Sequence, residues 1–392
     1  MSTIKVNKIE NTSTTDGGIS IDNSGHVTVD GQQLPSAGPL SNRNLVMNGA
    51  MRVAQRATSK TSITTLSYVC DRWLFAPNSL GTWTITQEND APNGFKKSFK
   101  ATCTTADASP AAGDYCLIVH RFEGQNLQHL KFGTSDAESL ILSFWVKSNK
   151  TGNASFGNLQ TDNSSKQFTA SYTINTANTW EYKTIQIPAD TAGVINNDNG
   201  VAFTLDFWLN SGSNYTGGSH SAGWETAANT NRNSSNLGVG GAVNDYFQIT
   251  GVQLEVGSVA TPFEHRSFAD ELFSCQRYYQ EIVAGRVNAS YFGHCDSDGR
   301  VVVVFPLARE LRSNIAHDGT GTVTRTGVVR VKDGFPSSAA NNNDAIDYYN
   351  NISNSLMMGL STTASGVTAG NSYMIRIGSA GDQAVFTIDN EL

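Results

Sequence analysis

Charge is scarce in this chain. The 27 Lys and Arg and 34 Asp and Glu make 16% of its 392 residues, where a soluble domain averages about 25%. Their balance of −7 leaves no basic field to hold a phosphate backbone by counterion release, which argues against nucleic acid as a partner. No apolar run approaches the roughly 20 residues that a membrane-spanning helix needs. The opening "MSTIKVNKIE" has no apolar signal-peptide core, so the expectation is a soluble protein with no Sec-type leader and no membrane insertion. The five cysteines, Cys70, Cys103, Cys116, Cys275 and Cys295, form no CxxC pair. Cys103 and Cys116 could face each other across a hairpin, but buried free thiols suit a cytosolically assembled protein better, and no disulfide framework is expected. Also missing are a phosphate-binding glycine motif before a helix, metal-ligand spacing among the histidines, and the periodicity of a parallel β-helix.

In place of charge the chain carries Ser, Thr, Asn and Gly, the composition of an extensive, loop-rich β surface. Its length suggests two or three domains with at least one sizeable core. Residues 1–38 are short alternating pieces: Ile4, Val6 and Ile9, then "GISIDNSGHVTVDG", in which Ile19 and Ile21 answer Val27 and Val29 across an Asn-Ser-Gly turn. So short a segment cannot bury a core alone, so it is expected to pair with sister copies or a partner. "QQLPSAGPL" reads as a linker or sharp bend.

Residues 39–266 are a series of strand-like segments between polar turns: "RNLVMNGAMRV", "YVCDRWLFA", "GTWTITQE", "KKSFKATC", "YCLIVHRFE", "ESLILSFWVKS", "KQFTASYTI", "WEYKTIQIP", "GVAFTLDFWL" and "DYFQITGVQLEVG". Nine or ten such segments with turn signals between them mean an all-β jelly-roll sandwich rather than βαβ units. "ITGVQLEVGSVATPFEHRSFADELFSCQRYYQ" changes character halfway. Val252, Leu254 and Val256 alternate as a last sandwich strand and Pro262 takes the chain out of the ladder. Ser267 with Asp270 then forms a capping box. Phe268, Leu272, Phe273, Cys275 or Gln276, and Tyr279 fall at three- and four-residue intervals, which predicts a linking helix of eleven or twelve residues over 267–279. Residues 280–392 return to strands as a smaller β domain, in which "VVVVF", residues 301–305, is expected to be buried on both faces.

"RNLVMNGAMRVAQR", "YVCDRW" and "VQLEVGSVATPFEHR" with "CQRYY" resemble the tail-fibre and appendage proteins of tailed bacteriophages, especially marine ones. "FTIDNEL" is similar to the end of their small C-terminal domain, and "MSTIKVNKIENTST" to their N-terminal attachment segment. The resemblance implies a virion component assembled in the host cytoplasm, commonly a homotrimer. It implies attachment to other phage tail or virion proteins through the N-terminal segment, and a carbohydrate-binding-module-like sandwich able to recognise host surface glycans. Such sandwiches often carry a structural calcium, for which Asn48 and Glu255 are candidate oxygen donors here although no acidic cluster accompanies them; no other cofactor is implied. The sequence lacks the long repetitive shaft of well-known fibres, so a distal receptor-binding role and a connector holding another fibre both stand, with a polysaccharide depolymerase as the less favoured third alternative.

The residues themselves point to 210–236, "NSGSNYTGGSHSAGWETAANTNRNSSN", as the binding loop, being too long and polar for an ordinary turn. Tyr215, His220 and Trp224 lie in it among amides and hydroxyls, the combination that stacks on and hydrogen-bonds to sugars. The alternatives are that Trp224 and Tyr215 pin the loop to the sandwich, or that it meets another protein. Trp180, opening a strand, is a further ligand candidate, whereas Trp145 and Trp208 inside apolar strands read as core. No enzyme is expected. His294, Cys295 and Asp296 are sequence neighbours, which strand geometry sends to opposite faces. No motif marks the carboxylate pair of a glycosidase or depolymerase.

Overall fold

The computed structural model describes residues 6–10, 18–23, 25–29, 31–162, 166–284, 290–295, 300–312, 322–326, 329–332, 345–352, 355–361, 372–377 and 384–391. Ile4, from the expected attachment segment, lies outside them, as does Asp296. The chain divides into two units, Met1–Glu271 and Leu272–Leu392.

The first unit opens with a four-stranded antiparallel meander, β1 (Lys8–Glu10), β2 (Gly18–Ile21), β3 (Val27–Val29) and β4 (Gln32–Gln33). Ile19 faces Val29 and Ile21 faces Val27, the pairing read from sequence. Asp22 closes the turn by accepting the His26 N–H at 2.9 Å. Ile9 is 59% exposed, and Val6, Ile19 and Ile21 are exposed as well.

The remainder of this unit is a jelly-roll β-sandwich. Its strands are β5 (Ser59–Ile63), β6 (Ser67–Tyr68), β7 (Trp73–Asn78), β8 (Thr82–Glu88), β9 (Ser98–Thr105), β10 (Tyr115–Glu123), β11 (Leu140–Ser148), β12 (Gly152–Gln160), β13 (Lys166–Ile174), β14 (Glu181–Ile187), β15 (Val201–Ser211), β16 (Glu225–Thr226) and β17 (Tyr246–Val256). One sheet runs β16-β13-β12-β15-β10-β7-β6 and the other β14-β11-β17-β9-β8-β5. Alternation sets the layers. Leu140, Leu142, Phe144 and Val146 of β11 meet Phe156, Phe203 and Phe207 of the opposite sheet in the core, with Phe144 and Phe207 rings 5.1 Å apart. Cys70, Cys103 and Cys116 lie in this core as free thiols.

"RNLVMNGAMRV" is not a strand. Asn48 and Met51 take positive φ of 54° and 56°, outside the extended region of regular strand pairing. The segment instead borrows bonds from β17, Leu45 N–H to Leu254 O at 2.8 Å and Val252 N–H to Gly49 O at 2.9 Å. Trp208 is buried, as expected, but on the outer side of its sheet, with Leu74, Ala76, Leu117 and Val119 in a small second cluster. Trp145 departs from expectation: it is half-buried on the outer side of β11.

A short α1 (Ser213–Thr216) lies in the long loop, and α2 is Phe268–Cys275. Ser267 caps the helix as its half of the expected box requires, with Asp270 N–H donating to Ser267 Oγ at 3.1 Å, and the Ser267 hydroxyl in turn donates to Asp270 Oδ2 at 2.6 Å. The helix has eight residues, not eleven or twelve, because Tyr279 already pairs with Asp389 in a ladder. The division between units falls inside it. Phe268 and Phe273 are about half exposed rather than in a buried stripe, each beneath a guanidinium, Arg52 at 5.6 Å and Arg309 at 4.5 Å.

The second unit holds β18 (Tyr279–Ala284), β19 (Ser290–Cys295), β20 (Arg300–Pro306), β21 (Thr322–Thr326), β22 (Val329–Lys332), β23 (Ala345–Ile352), β24 (Ser355–Ser361), β25 (Ser372–Ile377) and β26 (Ala384–Asp389). They form sheets β18-β26-β21 and β22-β25-β19-β20-β24-β23. Phe305 and Phe386, one from each sheet, pack at 5.2 Å. The "VVVVF" strand is buried on one face only: Val303 and Phe305 are buried while Val304 is 55% exposed.

Candidate functional site

The outer face of the six-stranded sheet carries the most accessible aromatic surface of the sandwich. On β11 the residues between the core positions are Ser143, Trp145 and Lys147. Trp145 stands opposite Tyr182 of β14 in the register; their rings are 5.4 Å apart and Tyr182 is 45% exposed. Burial raises the Tyr182 phenol, with a bond to Ser143 opposing it, so the hydroxyl stays protonated as a donor at neutral pH. At the end of the same strand Lys147 Nζ binds Asp90 Oδ2 at 2.8 Å and lies 5.9 Å over Trp180, whose indole N–H donates to Asp90 Oδ1 at 3.1 Å. Burial alone would raise the Asp90 carboxyl; the Lys147 and Trp180 bonds outweigh it and hold it below its usual value.

The row continues across β17 because of one glycine. The β11–β17 register shifts between Ser143 and Trp145, and Gly251 sits at this bulge with φ +61°. A Cβ there would stand 2.7 Å from Phe95 and 3.0 Å from Trp145, so the missing side chain lets both rings flank the strand. Beyond it Phe263 packs edge to face with Phe95 and His265 at 5.0 and 4.9 Å, and Phe95 and His265 meet at a tilt, 5.3 Å apart. The order along the surface is Tyr182, Trp145, Phe95, then Phe263 with His265.

Two loops crossing the same face are fixed by polar residues of β17 that alternate outward yet are buried. Gln248 donates to Ser98 Oγ and Thr250 to Lys97 O, at 3.0 and 2.7 Å, and these hold residues 89–97. Glu255 accepts the Thr261 N–H and Oγ–H, both at 2.8 Å, and Gln253 Oε1 accepts the Glu264 N–H at 2.8 Å, which holds residues 257–264. Asn44 N–H donates to Glu264 Oε2 at 2.9 Å, Asn48 N–H to Glu271, and Arg266 to the Asn44 carbonyl. "RNLVMNGAMRV" and "VQLEVGSVATPFEHR" are therefore two halves of one clasp.

That clasp also occupies the expected calcium donors. Asn48 Oδ1 accepts the Val53 N–H at 2.9 Å while its amide donates to Val53 O and Asp71 O. Both Glu255 oxygens serve Thr261, and the cation beside them is Arg43 at 3.5 Å. Among the described residues no group of three or more His, Cys, Asp and Glu is placed to hold a metal.

The loop 210–236 is tied down rather than open. The Trp224 indole packs on Phe132, Phe203 and Phe168 at 5.8–6.2 Å and donates to Pro188 O at 2.7 Å. Tyr215 covers Trp208 at 5.3 Å and meets Tyr115 at 5.5 Å. His220 Nε2 lies 3.0 Å from Ser235 Oγ, and burial lowers its pKa. It lines a shallow recess of about 380 Å³ with Phe168, Gln186 and Pro188. Asn233 to Ser211 at 2.7 Å and Asn236 to Asn210 at 3.0 Å anchor the rest. Of the four residues singled out in the sequence, only Trp180 belongs to the aromatic face. Trp145 and Tyr182 were missed, although parity along "LILSFWVKS" sets Trp145 with Ser143 and Lys147, opposite the leucines.

No protein-family model matches the chain, and no curated protein matches it. Solved structures similar to it include a bacteriophage CBA120 tailspike protein 4 enzymatically active domain. It is 14% identical over 54% of this chain, spans only 21% of the tailspike chain, and has a TM-score of 0.30. A family 11 carbohydrate-binding module of a Clostridium thermocellum cellulosomal cellulase is 12% identical, covering 54% of this chain and 100% of that one, with a TM-score of 0.27. TmCBM61 in complex with β-1,4-galactotriose is 8% identical, covering 55% and 99%, with a TM-score of 0.27. Scores of this size carry no argument, and the fold rests on the strand pairing described above.

Proposed function

We propose that this protein is an appendage component of a tailed-bacteriophage particle and binds host-surface glycan through the Trp145–Tyr182 face. The observation that carries the reading is the row of half-exposed rings on a rigid sheet, beside Lys147, Asp90 and Ser143. Aromatic faces cover the apolar sides of pyranose rings, and the neighbouring donors and acceptors meet their hydroxyls. Preformed sites of this kind lose little entropy on binding. The phage assignment is supported by the clasp motifs, which resemble those of tail-fibre proteins.

The exposed Val6, Ile9, Ile19 and Ile21 support a second element of the reading. A meander that exposes these Val and Ile side chains seeks a partner, here sister copies in a homotrimer and another virion protein. Three weak glycan sites on one body then attach firmly yet reversibly. In this reading the protein binds polysaccharide without cleaving it, uses no cofactor and resides in the virion.

Purified protein competing with particles for adsorption to host cells tests the reading. Wild type is expected to block adsorption, the W145A/Y182A variant to lose at least tenfold in potency while still folding cooperatively, and polysaccharide length to stay constant. Equal blocking by the variant, or shortened polysaccharide, would overturn it. Particles assembled with a chain lacking residues 1–38 are expected to lack the protein; its normal incorporation would remove the attachment role.

A further inference from the structure

The aromatic row ends at a surface cleft of about 380 Å³, within the roughly 300–1,000 Å³ of small-ligand sites. Its walls bring Arg52, Lys96, Lys97 and His265 together with the rings of Phe95 and Phe268, and no carboxylate is among them. In a chain with a net charge of −7, a guanidinium and two ammonium groups lining one cleft with no carboxylate in its walls are the exception. Lys97 Nζ is held by a neutral partner, Asn89 Oδ1, at 2.8 Å. Arg52 donates to the Arg266 carbonyl at 3.3 Å and lies over Phe268 at 5.6 Å. Glu271 lies within the field of Arg52 and is already bound by the Asn48 N–H and by Arg266 at 3.3 Å. Among the described residues, Arg52, Lys96 and Lys97 enter no ion pair.

The cleft adjoins the glycan face through a shared residue. Phe95 is both the last ring flanking Gly251 and a wall of the cleft. Phe268, 47% exposed, offers a second apolar surface to the cleft. A ligand suited to this lining has an apolar ring face and an anionic substituent, since a guanidinium and two ammonium groups make strong charge-assisted bonds to carboxylate and phosphate oxygens.

We infer that this cleft takes the anionic group of an acidic saccharide, a pyranose bearing a carboxylate or a phosphate. The inference rests on the glycan-binding reading above, in which Trp145 and Tyr182 hold the neighbouring part of the chain. The protein thereby selects charged surface polysaccharides over neutral ones, and the selection weakens as salt screens the cations.

The full-length protein is tested on an array of neutral, carboxylated and phosphorylated saccharides, followed by titration calorimetry with the best-bound member, its neutral analogue and inorganic phosphate. Acidic members are expected to bind about tenfold more tightly than neutral analogues, as one charge-assisted bond supplies. Carboxylated and phosphorylated arms tell which anion is preferred. In the K96Q/K97Q variant the acidic preference is expected to vanish while neutral binding stays. Arg52→Gln is the harsher change, since Arg52 also supports the Arg266 carbonyl. Binding confined to neutral saccharides, or an acidic preference unchanged in K96Q/K97Q, overturns the inference and leaves the glycan reading standing. Inorganic phosphate binding as tightly as the phosphorylated sugar reduces the cleft to a general anion site and overturns it. Binding to no saccharide overturns both.

Discussion

Single residues divide the tryptophans of this sandwich into two kinds. Trp224 is half-buried among Phe132, Phe168 and Phe203 with its N–H spent on Pro188, so its truncation opens a void at the core edge. Trp224→Ala is expected to cost about 3 kcal/mol, at the lower end for a large aromatic because the ring is not fully enclosed. Trp145→Ala, on the outer face, is expected to cost less than about 1.5 kcal/mol, and urea unfolding of the two variants checks the order. His120 sets a pH limit. It is buried between Trp73 and Phe122, at 5.0 and 4.6 Å, and donates from Nε2 to Met47 O at 3.2 Å. Burial first, then Arg72, hold its pKa well below 6.5 against the Met47 bond. It stays neutral in the fold and protonates in the unfolded chain at about 6.5, so its stability contribution is present above that pH and declines as pH falls below it. Unfolding free energy is expected to drop between pH 7 and 5, and to drop less steeply in His120→Gln. Parallel slopes would remove His120 as the cause.

Elements show what alternation reveals and what it hides. β11, β15 and β17 were legible because apolar residues of one parity face the core. β12, "GNASFGNLQ", was not: Ser155, Asn158 and Gln160 are buried polar residues, and their hydrogen bonds come from segments distant in sequence. "RNLVMNGAMRV" read as a strand on composition, whereas Asn48, bonded to Val53 and Asp71, replaces the ladder with side-chain bonds. The aromatic face was half legible. Trp180 stood out at a strand start, but Trp145 was concealed by apolar neighbours of opposite parity, and Phe95 joins the row only through the bulge at Gly251. Where local chemistry acts alone the sequence reading holds best, as in the Ser267 cap of α2. Ser267→Ala removes the acceptor of the Asp270 N–H and is expected to cost about 1 kcal/mol, measurable as a lower urea midpoint, while Ser267→Asn restores it. No change in the alanine variant would show that packing alone fixes this helix start.

For the molecule as a whole, composition and arrangement have different consequences. The low charge and the wealth of Ser, Thr, Asn and Gly provide a neutral surface, on which the cationic cleft and the aromatic row are local exceptions. The clasp that joins residues 43–53 to 253–271 holds one of the loops bordering that row, 257–264, while Gln248 and Thr250 of β17 hold the other, 89–97, so devices at the level of the fold position the aromatic face. The most direct measurement is hydroxyl-radical footprinting of the full chain with and without the saccharide it binds best. The account predicts protection of Trp145 and Tyr182, with Tyr215 and Trp224 unchanged. Protection of the 210–236 loop with Trp145 and Tyr182 unchanged would contradict it and return the site to that loop.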